Sequence, residues 1–261
     1  MSSRWFHTYG APGEAVSGAA AGPELRLVCF PHAGGSPTSY RNWQRGLPAG
    51  VELLSVCYPG RQVRLAEPPI TDMAELADRI TEALEPCLDR PLALFGHSMG
   101  SAVAYETALR LSRRHGVRPV RLFVSGRGAP HTVPPSRLHL ADDPTLYAEI
   151  ERLGSASAHL VSHHALRELL LPALRADLRL IETYRPAAPE RTSCPIVVYF
   201  GDQDRGCTPE RLAAWSQLTT ARAEFHAFPG GHFYLENHEP DLLCHLTGHL
   251  TTDLRLLRVT R

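Results

Sequence analysis

Six short apolar runs, several of them nearly unbroken, at residues 25–31, 51–58, 91–95, 121–125, 195–200 and 221–228, set what this chain can fold into. Strands buried on both faces read this way, and such strands belong to parallel sheets covered by helices. The intervals between them agree. Met73, Leu76, Ala77, Ile80, Leu84 and Cys87 trace one helical face, behind an Asp72/Glu75 pair that resembles a capping box. A second helix is expected over 99–115, ended by Gly116 as a left-handed cap. Alternating strands and helices predict an α/β fold, with a mainly parallel central sheet flanked by helices. The 261 residues are expected to form one domain, with a loose Gly/Ala-rich start over 10–23.

From 128 to 194 no run reads as a strand, although a crossover between parallel strands needs only about a dozen residues. Segments 144–153 and 165–184 carry apolar residues at helical spacing. The surplus is therefore expected to be a helical insertion over about 130–190, acting as a lid or a channel wall.

All 27 basic residues are arginine, and they balance 27 acidic ones. No global attraction to nucleic acid is expected, and without lysine neither Schiff-base nor P-loop chemistry is available. The first 24 residues carry Arg4, Glu14 and Glu24 and lack an apolar core, so no signal peptide is expected. No run approaches the roughly 18 apolar residues of a membrane helix. Cys29, Cys57, Cys87, Cys194, Cys207 and Cys244 are widely spaced, which points to reduced thiols rather than disulfides or zinc ligands. A soluble cytoplasmic protein without metal or cofactor is the expectation.

Gly96-His97-Ser98-Met99-Gly100 has the form GxSxG, which by itself is a weak signal. Its place between an apolar run and an amphipathic helix supplies the strand–turn–helix context of a nucleophile elbow. A serine hydroxyl is a poor nucleophile at neutral pH, so a histidine base and an orienting carboxylate are needed, expected later in the order Ser, Asp, His. Two aspartates compete in the loop after 195–200. Asp204 is preferred because it lies deeper in the loop and can reach back, while Asp202 is expected to bond within the turn. Asp177 and Asp253 read as solvated helix residues.

Among 14 histidines, His232 follows the last run within Pro229-Gly230-Gly231-His232-Phe233, where two glycines let the backbone swing it over the sheet edge. His226, His238, His245 and His249 have no comparable placement. Backbone N–H groups of Met99 and of Ala33, the latter in the stretch Phe30–Gly35, are the expected oxyanion donors. A phosphate-binding reading of that stretch lacks any GxGxxG or Walker pattern.

Taken together these stretches resemble the type II thioesterases that accompany modular polyketide synthases and nonribosomal peptide synthetases. The resemblance runs from about Leu27 to Leu246. It rests on FPHAGGS at 30–36, YPGRQ at 58–62, GHSMG at 96–100, SGRGAP at 125–130, GDQD at 201–204 and GGHFYL at 230–235. LLLPALRADLRLIETY at 169–184 is similar to the family's lid. The resemblance implies an α/β-hydrolase fold, with Ser98, Asp204 and His232 as catalytic triad and Ala33 with Met99 as oxyanion hole. It further implies hydrolysis of stalled or misprimed acyl groups from the phosphopantetheine thiol of an acyl or peptidyl carrier domain. The substrate then brings the phosphopantetheine and the enzyme, acting as a monomer, needs no cofactor of its own.

A general carboxylesterase or lipase acting on small esters shares the same triad, and a silent binding scaffold is the non-enzymatic alternative. The chain departs from the family pattern at Arg205-Gly206-Cys207, where a proline is expected, and Cys207 reads as incidental. Arg61, Gln62 and Arg64 read as structural or solvated, and surface arginines are expected to meet an acidic carrier.

Overall fold

A computed structural model of the chain describes residues 4–9, 22–154, 164–186 and 188–259. The expected loose start falls, as far as residue 21, outside them. The strands are β1 (Phe6–His7), β2 (Leu25–Phe30), β3 (Val51–Val56), β4 (Leu92–His97), β5 (Arg121–Ser125), β6 (Ile196–Gly201) and β7 (Ala223–Phe228). They form one sheet in the order β1-β3-β2-β4-β5-β6-β7, parallel throughout except for β1. All six expected strands are present with ends shifted by one or two residues. Only β1 is new, a two-residue edge too short to carry a periodic signal.

The α-helices are α1 (Met73–Leu84), α2 (Met99–His115), α3 (Asp143–Leu153), α4 (His164–Thr183) and α5 (Pro209–Ala213) between the strands, with α6 (Tyr234–Asn237) and α7 (Glu239–Val259) after β7. Asp72 caps α1 by accepting the Glu75 N–H, as the capping pattern suggests. That helix ends at Leu84 and continues to Cys87 only as a 3₁₀ turn, because Pro86 has no N–H to extend the ladder. Gly116 closes α2 at φ +64°, a backbone geometry that suits glycine. Between β5 and β6 the described residues are helical or irregular, with α3 and α4 close to their expected bounds.

The sheet is covered on both faces. On one, α1, α2 and the end of α4 bring Ile80, Val103, Leu111, Leu180 and Ile181 against Val28, Leu94, Leu122 and Ile196. On the other, Leu242, Leu246 and Leu250 of α7 join Tyr40 and Trp43 over Leu27, Ala93, Phe123 and Tyr199. Adjacent strand residues thus enter opposite cores, which is why the strands read as continuous apolar runs.

Both glycines around Ser98 are required by close backbone approach. A Cβ on Gly96 would sit 2.1 Å from the Gly100 carbonyl oxygen, and one on Gly100 would sit 2.0 Å from that of Phe30. These contacts press the first turn of α2 onto β4 and onto the end of β2. Gly100→Ala forces backbone apart rather than a side-chain tip, so it should destabilise the fold by about 3 kcal/mol or more. Urea unfolding beside the exposed control Gly248→Ala, where a Cβ meets open space, measures this.

Candidate active site

Ser98 stands at the C-terminal end of β4, between its last residue His97 and the first of α2. Its backbone lies at φ +54° and ψ −116°, a strained geometry for a residue with a Cβ and one that costs about 1–3 kcal/mol. The surroundings hold it there. The Ser98 N–H donates to the Ser125 carbonyl at 2.7 Å, and the Ser101 hydroxyl reaches the Gly96 and Ser125 carbonyls at 2.8 and 2.9 Å. Strand and helix turn on one residue, so the hydroxyl is carried out of the sheet over its carboxyl edge, where α/β sheets bind ligands.

Loops after β6 and β7 meet the hydroxyl. His232 Nε2 lies 2.9 Å from Ser98 Oγ, and His232 Nδ1 lies 2.7 Å from Asp204 Oδ2. Burial alone would raise the Asp204 pKa. The hydrogen bond and charge of His232, with the Gly206 N–H and the Cys207 thiol, outweigh it and hold the carboxyl below its ordinary range. An ionised Asp204 accepts from Nδ1–H, which leaves Nε2 free to accept the serine proton.

Asp202 behaves differently from the expectation of a bond within its own turn. Its carboxylate accepts the Gly230 N–H at 2.9 Å, tying the acid loop to the loop that carries His232. Gly201 lets these loops touch, since a Cβ there would fall 2.2 Å from the Gly231 carbonyl oxygen. Cys207, read as incidental because no base activates it, points its thiol at Asp204 Oδ2 from 3.4 Å. Burial and that carboxylate push its pKa well up, so it stays a thiol and serves as a weak donor.

Ala33 follows β2 and Met99 opens α2. Phe30 and Gly96 are register partners on neighbouring strands, which brings both backbone amides to the same edge of the sheet. A cavity of about 310 Å³ opens on the acid side of His232, between Asp204, Gln203, Arg205 and Gly231 and the α3 residues Arg152 and Leu153. Among the described residues no cluster of three or more His, Cys, Asp or Glu is arranged to hold a metal ion, and no helix is long and apolar enough to cross a membrane.

The expectation that Asp177 and Asp253 are solvated is overturned. Asp177 on α4 forms a two-pronged ion pair with Arg61, at 2.8 Å on each prong, with both side chains buried. Asp253 on α7 pairs with Arg121 of β5 in the same manner, at 2.9 and 2.7 Å. Each aspartate faces inward because an arginine distant in sequence neutralises it, a match that helical spacing alone does not reveal. Arg64 is buried too, bonded to Glu67 and the Cys57 carbonyl and lying 3.7 Å from the Trp5 ring centre.

His97 and His32 are neighbours that sequence reasoning passed over. His97 is fully buried, 2.9 Å from Ser125 Oγ, and burial followed by the charge of His232 and His32 takes its pKa well below the ordinary value. His32 packs edge-on against Phe233, and burial with the nearby His232 and Arg61 lowers its pKa to about 3. The marker they carry is position: each lies beside a residue of the predicted site. Unfolding lets them protonate near pH 6.5, so their contribution to stability is full above that pH and is lost as the pH falls toward the folded value. His32 alone should lower the unfolding free energy by about 2 kcal/mol between pH 7.5 and 5, and His97 acts in the same direction. Urea titrations across that window measure the slope, which His32→Gln should flatten.

Comparison with known proteins adds a second line. A family model described as a thioesterase domain matches residues 25–250. The protein named thioesterase PikA5, from Streptomyces venezuelae, is 42% identical over 229 residues, covering 87% of this chain and 81% of that one. The solved RedJ thioesterase from the prodiginine pathway of Streptomyces coelicolor is 39% identical with a TM-score of 0.81, covering 88% of this chain and 90% of that chain. The type II thioesterase BorB of the borrelidin biosynthetic cluster is 35% identical with a TM-score of 0.84, covering 97% and 99% of the two chains.

Proposed function

This chain belongs to the thioesterase family and has the α/β-hydrolase fold, and on that premise we propose that it clears stalled or misprimed acyl groups from the phosphopantetheine thiol of acyl or peptidyl carrier domains. The observation that supports it most is the hydrogen-bonded line from Ser98 Oγ through His232 to Asp204, at 2.9 and 2.7 Å. Homologues named as type II thioesterases of biosynthetic clusters support a carrier-bound acyl thioester as the substrate.

In this reading His232 Nε2 takes the Ser98 proton as the oxygen attacks the thioester carbonyl. The carbonyl electrons move onto oxygen, where the N–H groups of Ala33 and Met99 meet them. The C–S bond then breaks and the imidazolium returns its proton to the departing sulfur. A thiolate leaves readily, so this protonation matters less than it does for an amine. Water, deprotonated by His232, attacks the acyl-Ser98 ester; the acyl C–Oγ bond breaks, Ser98 Oγ takes the proton back from the imidazolium, and the free acid leaves. Asp204 holds the imidazole in the tautomer these steps need and stabilises its charged form. Helices α3 and α4 belong to the lid, and no cofactor takes part.

Pre-steady-state kinetics with a carrier-bound acyl thioester test the reading. A burst of thiol equal to the enzyme concentration, removed by a fluorophosphonate that labels Ser98 alone, is the expected result. Thiol release without dependence on Ser98 contradicts it.

A further inference from the structure

The buried Arg61–Asp177 pair does more than seat a helix. Asp177 Oδ2 accepts the Gly34 N–H at 2.8 Å in addition to Arg61 Nη1, while Oδ1 takes Nη2. Arg61 Nη1 also donates to the Gly35 carbonyl at 2.8 Å. The Gly35 N–H in turn donates to the His32 carbonyl at 2.9 Å. That carbonyl shares a rigid peptide plane with the Ala33 N–H, so fixing one end aims the other. The loop therefore receives its orientation from a guanidinium on the segment after β3 and a carboxylate on α4.

Helix α4 also lies directly on this loop. Gly34 sits at φ +74°, and a Cβ there would come 2.9 Å from Leu174 Cδ1, three residues before Asp177. Apolar packing alone would bury this surface, but it has no direction, whereas a two-pronged ion pair with hydrogen bonds to two successive backbone groups does. On the same helix, Arg175 binds the His139 and Ala141 carbonyls, and Glu182 accepts the Leu138 and His139 N–H groups. One helix thus carries both the segment 138–143 and the clamp on the loop.

We infer that Arg61 and Asp177 are positioning residues, which aim the Ala33 N–H at the developing oxyanion and make that aim depend on α4 being docked. The inference rests on the proposed oxyanion role of Ala33. Its consequence is gating: an acyl chain that displaces α4 also loosens the donor, and catalysis proceeds only once the helix has closed again.

The test uses the full chain with Asp177→Asn and Arg61→Lys, each checked for fold by circular dichroism and thermal melting. Two quantities are read: kcat and KM for an acyl-N-acetylcysteamine thioester, and the Ki of the matching acyl trifluoromethyl ketone. The ketone forms a hemiketal on Ser98 whose oxygen takes the oxyanion position. Asp177→Asn should lower kcat by about 100-fold with KM within about threefold, and should weaken the ketone by the factor lost from kcat/KM. Arg61→Lys keeps the charge but loses the fork, and should fall between this variant and the parent.

A folded Asp177→Asn protein whose kcat and Ki stay within about threefold of the parent overturns the inference, as does a rise in KM alone. Should Asp177→Asn fail to fold, Arg61→Lys decides by the same criterion. Thioester turnover surviving in Ser98→Ala sinks the underlying functional reading instead, whatever the pair does.

Discussion

Replacing Ser98 with alanine should lower kcat on an acyl thioester by about 10⁵-fold, leaving only what binding and the oxyanion donors supply. The same change should leave stability nearly untouched, since alanine inherits the strained φ of +54°. Ser98→Gly separates the two effects. Glycine adopts positive φ without strain, so that variant should be equally inactive yet more stable than the parent by about 1 kcal/mol. Chemical denaturation of the three proteins beside their turnover checks both statements. A glycine variant less stable than the alanine variant would mean that the backbone at residue 98 stores no strain, and the elbow would need another explanation.

The second large effect separates two aspartates that sit two residues apart. Asp204→Asn removes the charge that stabilises the imidazolium and allows the amide to hold the wrong tautomer, so kcat should fall by about 10⁴-fold. Asp202→Asn should cost less than about tenfold, because an asparagine oxygen still accepts the Gly230 N–H that the carboxylate holds at 2.9 Å. Measuring kcat and KM for both variants on one thioester gives the ratio directly. Equal losses would show that the loop-to-loop tie matters as much as the charge, and the assignment of Asp204 as orienting acid would fail.

Much of the framework was legible because it follows from local pattern. Each of β2 to β6 is an apolar run buried between two layers, and Asp72 and Gly116 announce the caps they provide. The side chains that meet at Ser98 were legible for a different reason. Ser98, Asp204 and His232 follow the ends of β4, β6 and β7, so chain order and loop placement find them.

What escaped notice depends on partners remote in sequence. Asp177 and Asp253 read as solvated because nothing near them signals Arg61 or Arg121, which lie 116 and 132 residues away. A GxSxG pattern does not announce that Gly96 and Gly100 each need empty space beside another backbone. Asp202 was read as closing its own turn, and its true partner belongs to the loop after the next strand. His97 occupies a variable position of the motif, yet it fills the core between Ser125 and His232. In each case the missing information is the fold itself, which sets burial and long-range pairing.

Removal of acyl groups from carrier domains through Ser98 is the activity proposed for this chain. Intact-protein mass spectrometry tests it most directly. Holo carrier domains loaded with acetyl, propionyl and longer acyl groups are incubated with enzyme, alongside the matched acyl-CoA and p-nitrophenyl esters, with Ser98→Ala as the blank. Loss of the acyl mass from the carrier, faster than turnover of the free analogues and absent in the blank, is the predicted result. Rapid ester turnover with the carrier left loaded would contradict it and would mark the protein as a small-molecule esterase on the same fold.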